Sequence, residues 1–358
     1  MGICISEFEQ QVKIPTNDLE NVGAQCEALG DLLEGRHLFV TGGTGFFGKW
    51  LVESLLFINK KQNLNIKVSV LSRNPAQFLA VMPHLKGESA LQLIEGDLNS
   101  LRALQLNQTI DYLIHAATEA SAKLNAEEPV TMARTACLGT EYVLEFALRH
   151  KVRRFLLTSS GAVYGKQPPE IANVEETYMG GPDLLDAGSA YAEGKRFAET
   201  LCACYSKQYG IDCLIARCFA FVGPHLPLDA HFAIGNFIRD ATSSGRIVVS
   251  GDGTPYRSYM YASDLVVWLL TILTRGSNCR AYNVGSPMSY RIKEIAEIIS
   301  SAEGGCEIEI KSKPVAGALV QRYVPNVQRA QSELGLAVRV PIQNAVQKTL
   351  EWVQKQKI

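Results

Sequence analysis

Short apolar runs alternate with longer helical patterns from His37 onward, and this alternation constrains the fold more than any other feature of the chain. The apolar runs are Leu38–Thr41, Ile66–Leu71, Leu91–Glu95, Tyr112–Ala116, Arg154–Ser159 and Cys213–Arg217. The longer helical patterns between them include Phe47–Leu56, Val130–His150 and Tyr191–Tyr209. Strands that are apolar almost throughout are typical of a parallel sheet covered by helices on both faces. The sequence therefore predicts an α/β fold with a doubly wound parallel sheet.

The chain divides into three predicted segments. Residues 1–35 form an N-terminal helical extension, because their apolar side chains recur at helical spacing: Leu19, Val22, Cys26, Leu29 and Leu32–Leu33. Residues 36–218 contain the six apolar runs and form the predicted parallel-sheet domain. Residues 219–358 are richer in turn signals, with helical patterns at Phe232–Thr242, Ser263–Leu273, Ile292–Ala302 and Ile342–Gln354. We expect this last part to be mainly a smaller, mixed α/β substrate domain, some segments of which return to the first domain.

Composition excludes several classes of protein. With 35 Lys+Arg against 36 Asp+Glu, the net charge of −1 provides no drive for nucleic-acid binding. The longest apolar run, Leu265 to Leu273, is too short to span a membrane. No secretory signal pattern opens the chain, and the nine cysteines form no CxxC pair, so we expect a cytoplasmic protein with reduced thiols and no metal. Met1-Gly2 to Ser6 fits a myristoylation pattern that is too short to be specific.

A glycine-rich turn follows the first strand pattern. The sequence Thr41-Gly42-Gly43-Thr44-Gly45-Phe46-Phe47-Gly48 has GxxGxxG spacing and opens a helix. Glycines let the backbone approach a pyrophosphate closely, and the helix N-terminus offers free N–H groups to the phosphates. We therefore predict that this turn binds a dinucleotide through Gly42, Thr44, Gly45, Phe46, Phe47 and Gly48.

The ends of the next strands should line the same cofactor, because ligands of such sheets bind at the carboxyl ends of the strands. The second strand ends in Ser72-Arg73, without the acidic residue that binds the ribose of NAD. Arg73 can pair with the extra phosphate of NADP, which favours NADP and leaves NAD possible. The remaining predicted cofactor contacts are Asp97, Leu98, Ala116, Ala117 and Thr118.

The catalytic candidates follow the fifth strand. Ser160 lies near the end of that strand, and Tyr191 and Lys195 have the YxxxK spacing that places both side chains on one face of a helix. The lysine is expected to lower the pKa of the tyrosine phenol towards neutrality, which would make it a general base. The serine hydroxyl would hold the substrate hydroxyl and share its proton.

Together these motifs resemble the extended short-chain dehydrogenase/reductase family, specifically the nucleotide-sugar epimerases and dehydratases, over about residues 37 to 355. The resemblance rests on TGGTGFFG, SSGAVYG, YAEGK, GDGTPYRSYMYASDL, YNVGS and RYVPNVQRAQSELG in this order. It implies a Rossmann-type domain, a smaller nucleotide-sugar domain, tightly bound NAD or NADP, and a homodimer built through a four-helix bundle. It also implies that Tyr191 is the base, Lys195 its modulator and a cofactor ligand, and Ser160 a substrate ligand. Further implied substrate contacts are Gly161, Ala162, Asn236 and Arg257.

Departures from the family pattern narrow the reaction. Family dehydratases carry Asp and Glu where this chain has Gly161 and Ala162, and decarboxylase-like members usually keep the Glu. Glycine and alanine can neither protonate a leaving hydroxyl nor abstract a carbon-bound proton, so Glu119 or Glu193 would have to replace the missing acids. The family also commonly has Asn where Ala136 and Ala220 stand, which suggests an unusual substrate pose.

The leading expectation is a nucleotide-diphosphate-sugar epimerase that acts by transient hydride transfer, most simply at C4. The alternatives are an NADPH-dependent keto-sugar reductase and then a 4,6-dehydratase or a decarboxylase. From a different class, the chain could be a non-catalytic dinucleotide sensor. A sensor has no use for an activated phenol, so Tyr191, Lys195 and Ser160 favour an enzyme.

Overall fold

A computed structural model describes residues 12–117, 122–230, 232–315 and 317–356. The strands are β1 His37–Thr41, β2 Lys67–Ser72, β3 Leu91–Glu95, β4 Tyr112–His115, β5 Arg154–Ser160, β6 Asp212–Cys218, β7 Phe221–Val222, β8 Arg246–Val249, β9 Tyr256–Arg257, β10 Met260–Tyr261, β11 Arg280–Val284, β12 Tyr290–Arg291, β13 Glu307–Ile310 and β14 Arg322–Tyr323. The helices are α1 Thr16–Gln25, α2 Gly30–Leu33, α3 Phe46–Gln62, α4 Pro75–Val81, α5 Ala122–Glu127, α6 Pro129–Arg149, α7 Ala190–Tyr209, α8 Ala233–Ser244, α9 Ala262–Arg275, α10 Ile292–Ala302, α11 Gln328–Leu334 and α12 Ile342–Lys355. The acylation pattern at Gly2 lies outside the described residues.

The central sheet has seven strands in the order β11-β6-β5-β4-β1-β2-β3, and every neighbouring pair is parallel. The chain builds outwards from β1 to β3, then returns to the other side of β1 and builds outwards again through β4. The strand order therefore reverses between β1 and β4, which is where doubly wound sheets bind their ligands. This architecture confirms the α/β fold with a doubly wound parallel sheet.

Helices cover both faces of this sheet because its strands are apolar on both sides. One core packs beneath α3 and α9, with Trp50 and Trp268 both fully buried. A second core packs beneath α6 and α7, where the rings of Phe39 and Phe146 lie 4.7 Å apart between centroids. The two cores hold β1, β4 and β5 rigidly, so the residues at their carboxyl ends have fixed positions.

A buried carboxylate is one of the contacts that tie the N-terminal extension to the rest of the molecule. Tyr261 Oη donates a hydrogen bond of 2.6 Å to Asp18 Oδ2, and Lys348 Nζ donates one of 2.7 Å to Asp18 Oδ1. The side chains of Leu19 and Val22 are buried in the first core. Helix α1 thus joins β10 and α12, which are far apart in the sequence.

The chain after β6 builds three small sheets and also returns to the central one. Strand β11 pairs with β6 in the seven-stranded sheet, whereas β14 and β12 flank β9 in a three-stranded sheet. This small sheet brings Tyr323 beside Arg257 in register. Where the molecule is described, no helix is both long and apolar enough to cross a bilayer, and no group of side chains is arranged to hold a metal ion.

Candidate active site

The glycine-rich turn connects β1 to α3, and its backbone lies in close contact with the backbone that follows β4 and with the start of α3. Gly42 has φ +73°, and a Cβ there would lie 2.4 Å from the carbonyl oxygen of Ala116. A Cβ on Gly48 would lie 2.3 Å from the carbonyl oxygen of Gly42, so only glycine fits at either position. A Cβ on Gly45 would meet nothing closer than 3.5 Å, which leaves the space beside this residue open. The turn therefore packs tightly on β4 and keeps an open side at the N-terminus of α3.

The ends of β2 and β3 lie next to this turn in the sheet. Ser72 is buried and its Oγ accepts a hydrogen bond of 3.2 Å from the N–H of Asn74, while Arg73 is exposed. Asp97 is also exposed, and its Oδ1 accepts from the N–H of Ser100 at 2.9 Å. Leu98 instead packs on Gly139 of α6. The Arg73 side chain therefore lies outside the core, at the carboxyl end of β2. There it is accessible to a cofactor phosphate.

A buried histidine links the turn to the catalytic strands. His115 Nδ1 lies 2.8 Å from Thr41 Oγ1, and its Nε2 lies 3.2 Å from Thr140 Oγ1. Burial, assisted by the charge of Lys195, lowers the pKa of His115 to about 3. The ring is therefore neutral at physiological pH and serves to connect three elements. After Ala116 and Ala117 the predicted contact at Thr118 lies outside the described residues, as does Glu119.

The three predicted catalytic side chains meet where β5 ends against the first turns of α7. Ser160 is buried, and its side chain lies close enough to Tyr191 to lower the pKa of that phenol. Lys195 is buried one turn further along α7, where its Nζ donates a hydrogen bond of 2.7 Å to the carbonyl oxygen of Thr158. The end of β5 and the first turns of α7 thus carry the three predicted side chains.

The pKa of the phenol differs from the sequence expectation. Burial raises the pKa of Tyr191 to about 12, and the nearby Ser160 side chain only partly opposes this effect. Burial also lowers the pKa of Lys195 to about 8, because an ammonium is poorly solvated there. The lysine is bound to the Thr158 carbonyl, so in this structure Ser160 is the group that lowers the pKa of Tyr191.

Sequence reasoning missed a second phenol at this site. The side chain of Tyr323, from the small sheet, lies close enough to Ser160 for the serine to lower the pKa of its phenol. Its ring lies 4.7 Å from that of Phe219 between centroids. A Cβ at Gly161 would lie 2.8 Å from both the Tyr323 hydroxyl and the Phe219 ring. Glycine at position 161 therefore leaves room for the Tyr323 hydroxyl, and Ala162 contributes a backbone N–H that donates to Ser160 Oγ at 3.1 Å.

Two predicted substrate residues lie on elements that follow β6. Asn236 is on α8, and its buried Oδ1 has no hydrogen-bond partner among the residues that the structure describes. An orphaned amide oxygen is the kind of group that a polar ligand satisfies. Arg257 lies on β9, half-buried, and one of its nitrogens donates to the carbonyl of Tyr256 at 2.9 Å. Its neighbour in register is Tyr323.

The candidate replacement carboxylate on α7 is engaged elsewhere. Glu193 forms an ion pair of 3.4 Å with Arg196. Two arginines after β6 that could bind phosphate also have acidic partners, since Arg239 pairs with Asp240 at 2.9 Å and Arg246 with Glu309 at 3.0 Å. Glu193, Arg239 and Arg246 each therefore have a partner of opposite charge.

The small residue at position 136 has a packing reason of its own. A Cβ on Gly194 of α7 would lie 2.6 Å from Ala136 Cβ on α6, so the two helices approach closely at this point. Gly194 and Ala136 thus meet as two small residues where α6 and α7 cross.

The turn, the open side of Gly45 and the exposed Arg73 fit a dinucleotide. Gly42 and Gly48 close the turn on the sheet, and the first N–H groups of α3 are available to phosphates. NAD(P) would be held by these features, at the point where the strand order reverses between β1 and β4.

Comparison with known proteins agrees with this geometry. Residues 38–285 match the model of the NAD dependent epimerase/dehydratase family. UDP-glucuronic acid decarboxylase 6 of Arabidopsis thaliana is 31% identical over 312 residues, which cover 86% of this chain and 86% of that protein. UDP-glucuronic acid decarboxylase 1 of Xenopus tropicalis is 30% identical over 90% of this chain and 73% of that protein.

One solved structure illustrates the shared fold. The UDP-N-acetylglucosamine 4-epimerase of Methanobrevibacter ruminantium has a TM-score of 0.78 at 21% identity, covering 90% of this chain and 99% of that one. The family match and the sequence relatives lead to one conclusion: the chain is an enzyme of the NAD-dependent epimerase/dehydratase family.

Proposed function

We propose that the protein is a nucleotide-diphosphate-sugar 4-epimerase, with Tyr191 as its general base. The observation that carries the proposal is the composition of the site around Ser160. Its neighbours are the phenols of Tyr191 and Tyr323 and the backbone of Gly161 and Ala162. This set can move the proton of a hydroxyl but provides no carboxylate for eliminating water.

Each residue then has a definite task in the proposed reaction. Tyr191 takes the proton from the sugar hydroxyl and later returns it, while Ser160 holds the same oxygen. Lys195, held by the carbonyl of Thr158, would bind the cofactor's ribose. Bound NAD(P) supplies the hydride acceptor and donor for C4. Arg257 and the orphaned amide of Asn236 would hold the nucleotide diphosphate part of the substrate.

Decarboxylation of a nucleotide-linked uronic acid is the second candidate. The observation that favours it is the similarity to two UDP-glucuronic acid decarboxylases over most of the chain. Oxidation of such a sugar at C4 produces a β-keto acid, which loses carbon dioxide without an acid at position 161 or 162. The first step would thus use the same three residues. We rank it second because the side chains that meet Ser160 are neutral phenols rather than a cation that would bind a carboxylate.

Proton NMR of the products separates these reactions. The purified protein is incubated in D2O with UDP-, dTDP-, CDP- and GDP-hexoses and with UDP-glucuronic acid, without added cofactor. Epimerisation gives a pair of hexoses with no deuterium in the ring. A pentose with deuterium at C5 indicates the decarboxylase, and a 6-deoxy-4-keto sugar indicates a dehydratase. Turnover only with stoichiometric NADPH and a keto sugar indicates the reductase. The Tyr191→Phe variant is the control, because it should keep cofactor and lose turnover.

The same proposal includes a tightly bound cofactor, with NADP favoured over NAD, and a homodimer. The exposed position of Arg73 supports the preference for NADP.

Exposed apolar side chains on α6 and α7 support a helical dimer interface: Val130, Leu138, Phe197 and Tyr209. Light scattering of the wild type and of a Phe197→Glu variant tests this, since the charge should produce monomers. The cytoplasmic location stays a prediction from the sequence.

A further inference from the structure

The proposed base lies at the start of its helix. Helix α7 begins at Ala190, so Tyr191 belongs to its first turn, and the side chain of the preceding residue, Ser189, makes no capping hydrogen bond. The first four N–H groups of a helix have no acceptor within the helix, and helix ends that lack other contacts fray. A base in this position therefore needs an acceptor from another element to keep its backbone in place.

The later turns of α7 are held to β5 by hydrogen bonds of their own side chains. Lys195 Nζ donates to the carbonyl oxygen of Thr158 at 2.7 Å, and Glu199 Oε1 accepts from Ser159 Oγ at 2.5 Å. These two contacts fix the helix from Lys195 onwards, which is one turn beyond the base. They leave the first turn to be held by a different group.

Asn125 provides the acceptor for the first turn. It lies on the short helix α5, and its Oδ1 accepts a hydrogen bond of 2.9 Å from the N–H of Tyr191. Its Nδ2 donates a hydrogen bond of 2.7 Å to the carbonyl oxygen of Gly188. A carboxamide carries an acceptor and a donor side by side, so it is complementary to this pair of backbone groups. Both polar atoms of the side chain are thus bound to the backbone where α7 begins.

We propose that Asn125 is a positioning residue for the catalytic base: its amide holds the main chain of Tyr191 and so fixes the phenol beside the end of β5. This inference rests on the proposed role of Tyr191. Helix α5 is the first element described after β4, and the predicted cofactor contacts Ala116 and Ala117 directly follow that strand. Asn125 therefore joins the cofactor side of the site to the base.

The test compares two asparagines that hold opposite ends of α7. Asn278 is the matched control, because its Oδ1 accepts from the N–H of Cys213 at 2.9 Å and its Nδ2 donates to Ser206 Oγ, near the end of the helix, at 2.9 Å. Asn125→Ala and Asn278→Ala each remove an amide that ties α7 to another element. A merely structural role predicts similar consequences for the two variants.

Kinetics of the holoenzyme distinguish positioning from stability. The substrate is the one that the product NMR identifies, whichever reaction it reveals. We expect Asn125→Ala to lower kcat at least about tenfold, because small displacements of a reacting group are costly, and to change KM and the cofactor Kd by less than about twofold. Asn278→Ala should keep the kcat of the wild type even where its melting temperature falls. Asn125→Asp keeps the oxygen that faces the Tyr191 N–H, so it should retain more of kcat than Asn125→Ala.

Hydrogen exchange is the second measurement, and it needs no substrate. The N–H of Tyr191 is followed by NMR in holoenzyme labelled with 15N-tyrosine. We expect it to exchange at least about tenfold faster in Asn125→Ala than in the wild type, because its acceptor is gone, and at the wild-type rate in Asn278→Ala.

A smaller fall of kcat in Asn125→Ala, or an equal fall in Asn278→Ala, would overturn the inference. Unchanged exchange of the Tyr191 N–H in Asn125→Ala would overturn it as well. The proposed base is judged separately by Tyr191→Phe. Normal turnover in that variant would refute the base itself, whereas an inactive Tyr191→Phe together with a fully active Asn125→Ala would refute the positioning role alone.

Discussion

The Nζ atom of Lys195 lies 2.7 Å from the carbonyl oxygen of Thr158, two residues before the serine at the end of β5. The lysine on α7 is thereby fixed to the strand that also carries Ser160, and the distance between strand and helix is set by a hydrogen bond instead of by packing alone. The Thr158 hydroxyl donates in turn to the carbonyl of His115 at 3.0 Å. The cofactor side and the catalytic side of the site thus share one chain of contacts.

Alanine substitutions in the glycine-rich turn should distinguish a glycine needed for cofactor binding from one needed for folding. A Cβ at Gly45 has room within the protein, whereas a Cβ at Gly48 would lie 2.3 Å from the carbonyl oxygen of Gly42. We expect Gly45→Ala to melt like the wild type without cofactor but to bind NAD(P) at least about tenfold more weakly, because the backbone can no longer approach the pyrophosphate. Gly48→Ala should lower the melting temperature as well. Calorimetric titration and thermal melts measure both effects, and normal cofactor affinity in Gly45→Ala would refute the assignment.

Arg73 should decide between the two cofactors. Its guanidinium is exposed at the end of β2, where a ribose phosphate would be bound. Loss of one charge-assisted contact costs about 1.5–3 kcal/mol, so Arg73→Ala should weaken NADP binding by about tenfold or more and change NAD binding little. The dissociation constants of both cofactors are measured on the apoprotein. Equal losses for NAD and NADP would show that Arg73 does not contact the phosphate.

Asp18 should be a main source of stability for the N-terminal extension. Its side chain is 2% exposed and accepts hydrogen bonds from Tyr261 and Lys348. Removing one partner of a buried pair leaves the others uncompensated, so Asp18→Ala should lower the free energy of unfolding by about 3 kcal/mol. Glu127→Ala breaks the exposed pair with Lys123 and should change it by less than about 1 kcal/mol. Urea unfolding compares the two, and similar small losses would contradict the structural role of Asp18.

Buried neutral histidines should make the protein less stable in acid. The pKa of His115 is lowered to about 3 from its ordinary value of 6.5, so below pH 6.5 the unfolded chain takes up a proton that the folded protein does not bind. Each such group lowers the free energy of unfolding by about 1.4 kcal/mol per pH unit as the pH falls towards the folded pKa. His225, whose pKa is also lowered to about 3, adds the same slope.

The His115→Gln variant isolates the first of these contributions. Below pH 6.5, the slope of its unfolding free energy against pH should be smaller than that of the wild type by about 1.4 kcal/mol per pH unit. Above pH 6.5 the two slopes should be the same. Urea titrations at several pH values measure this slope. Identical slopes in the variant and the wild type would mean that His115 is protonated in the folded protein.

Much of this architecture could be predicted from local patterns. The six apolar runs match six of the seven strands of the central sheet, all except β11, and the pattern at Val130–His150 matches the helix Pro129–Arg149 within one residue at each end. The glycine turn and the YxxxK spacing are local as well, since they depend on residues a few positions apart. Such patterns can be recognised in the sequence because they depend only on residues that are close along the chain.

The position of Tyr323 beside the end of β5 could not be predicted in this way. Its strand has only two residues and exists because it pairs with β9 in the folded protein. The sequence also raises the expectation that Lys195 lowers the pKa of Tyr191, whereas the lysine is bound to a backbone carbonyl and the phenol is buried. Both features arise from tertiary contacts that have no periodicity to reveal them.

The central claim is that C4 of a nucleotide sugar exchanges a hydride with a retained cofactor while Tyr191 moves the hydroxyl proton. The most direct measurement follows a hexose substrate, identified by the NMR screen, that carries deuterium at C4. We expect both epimers to retain that deuterium in ordinary water, and Tyr191→Phe to bind the cofactor normally and form neither product. Loss of the C4 deuterium to solvent, or full turnover by Tyr191→Phe, would contradict the account.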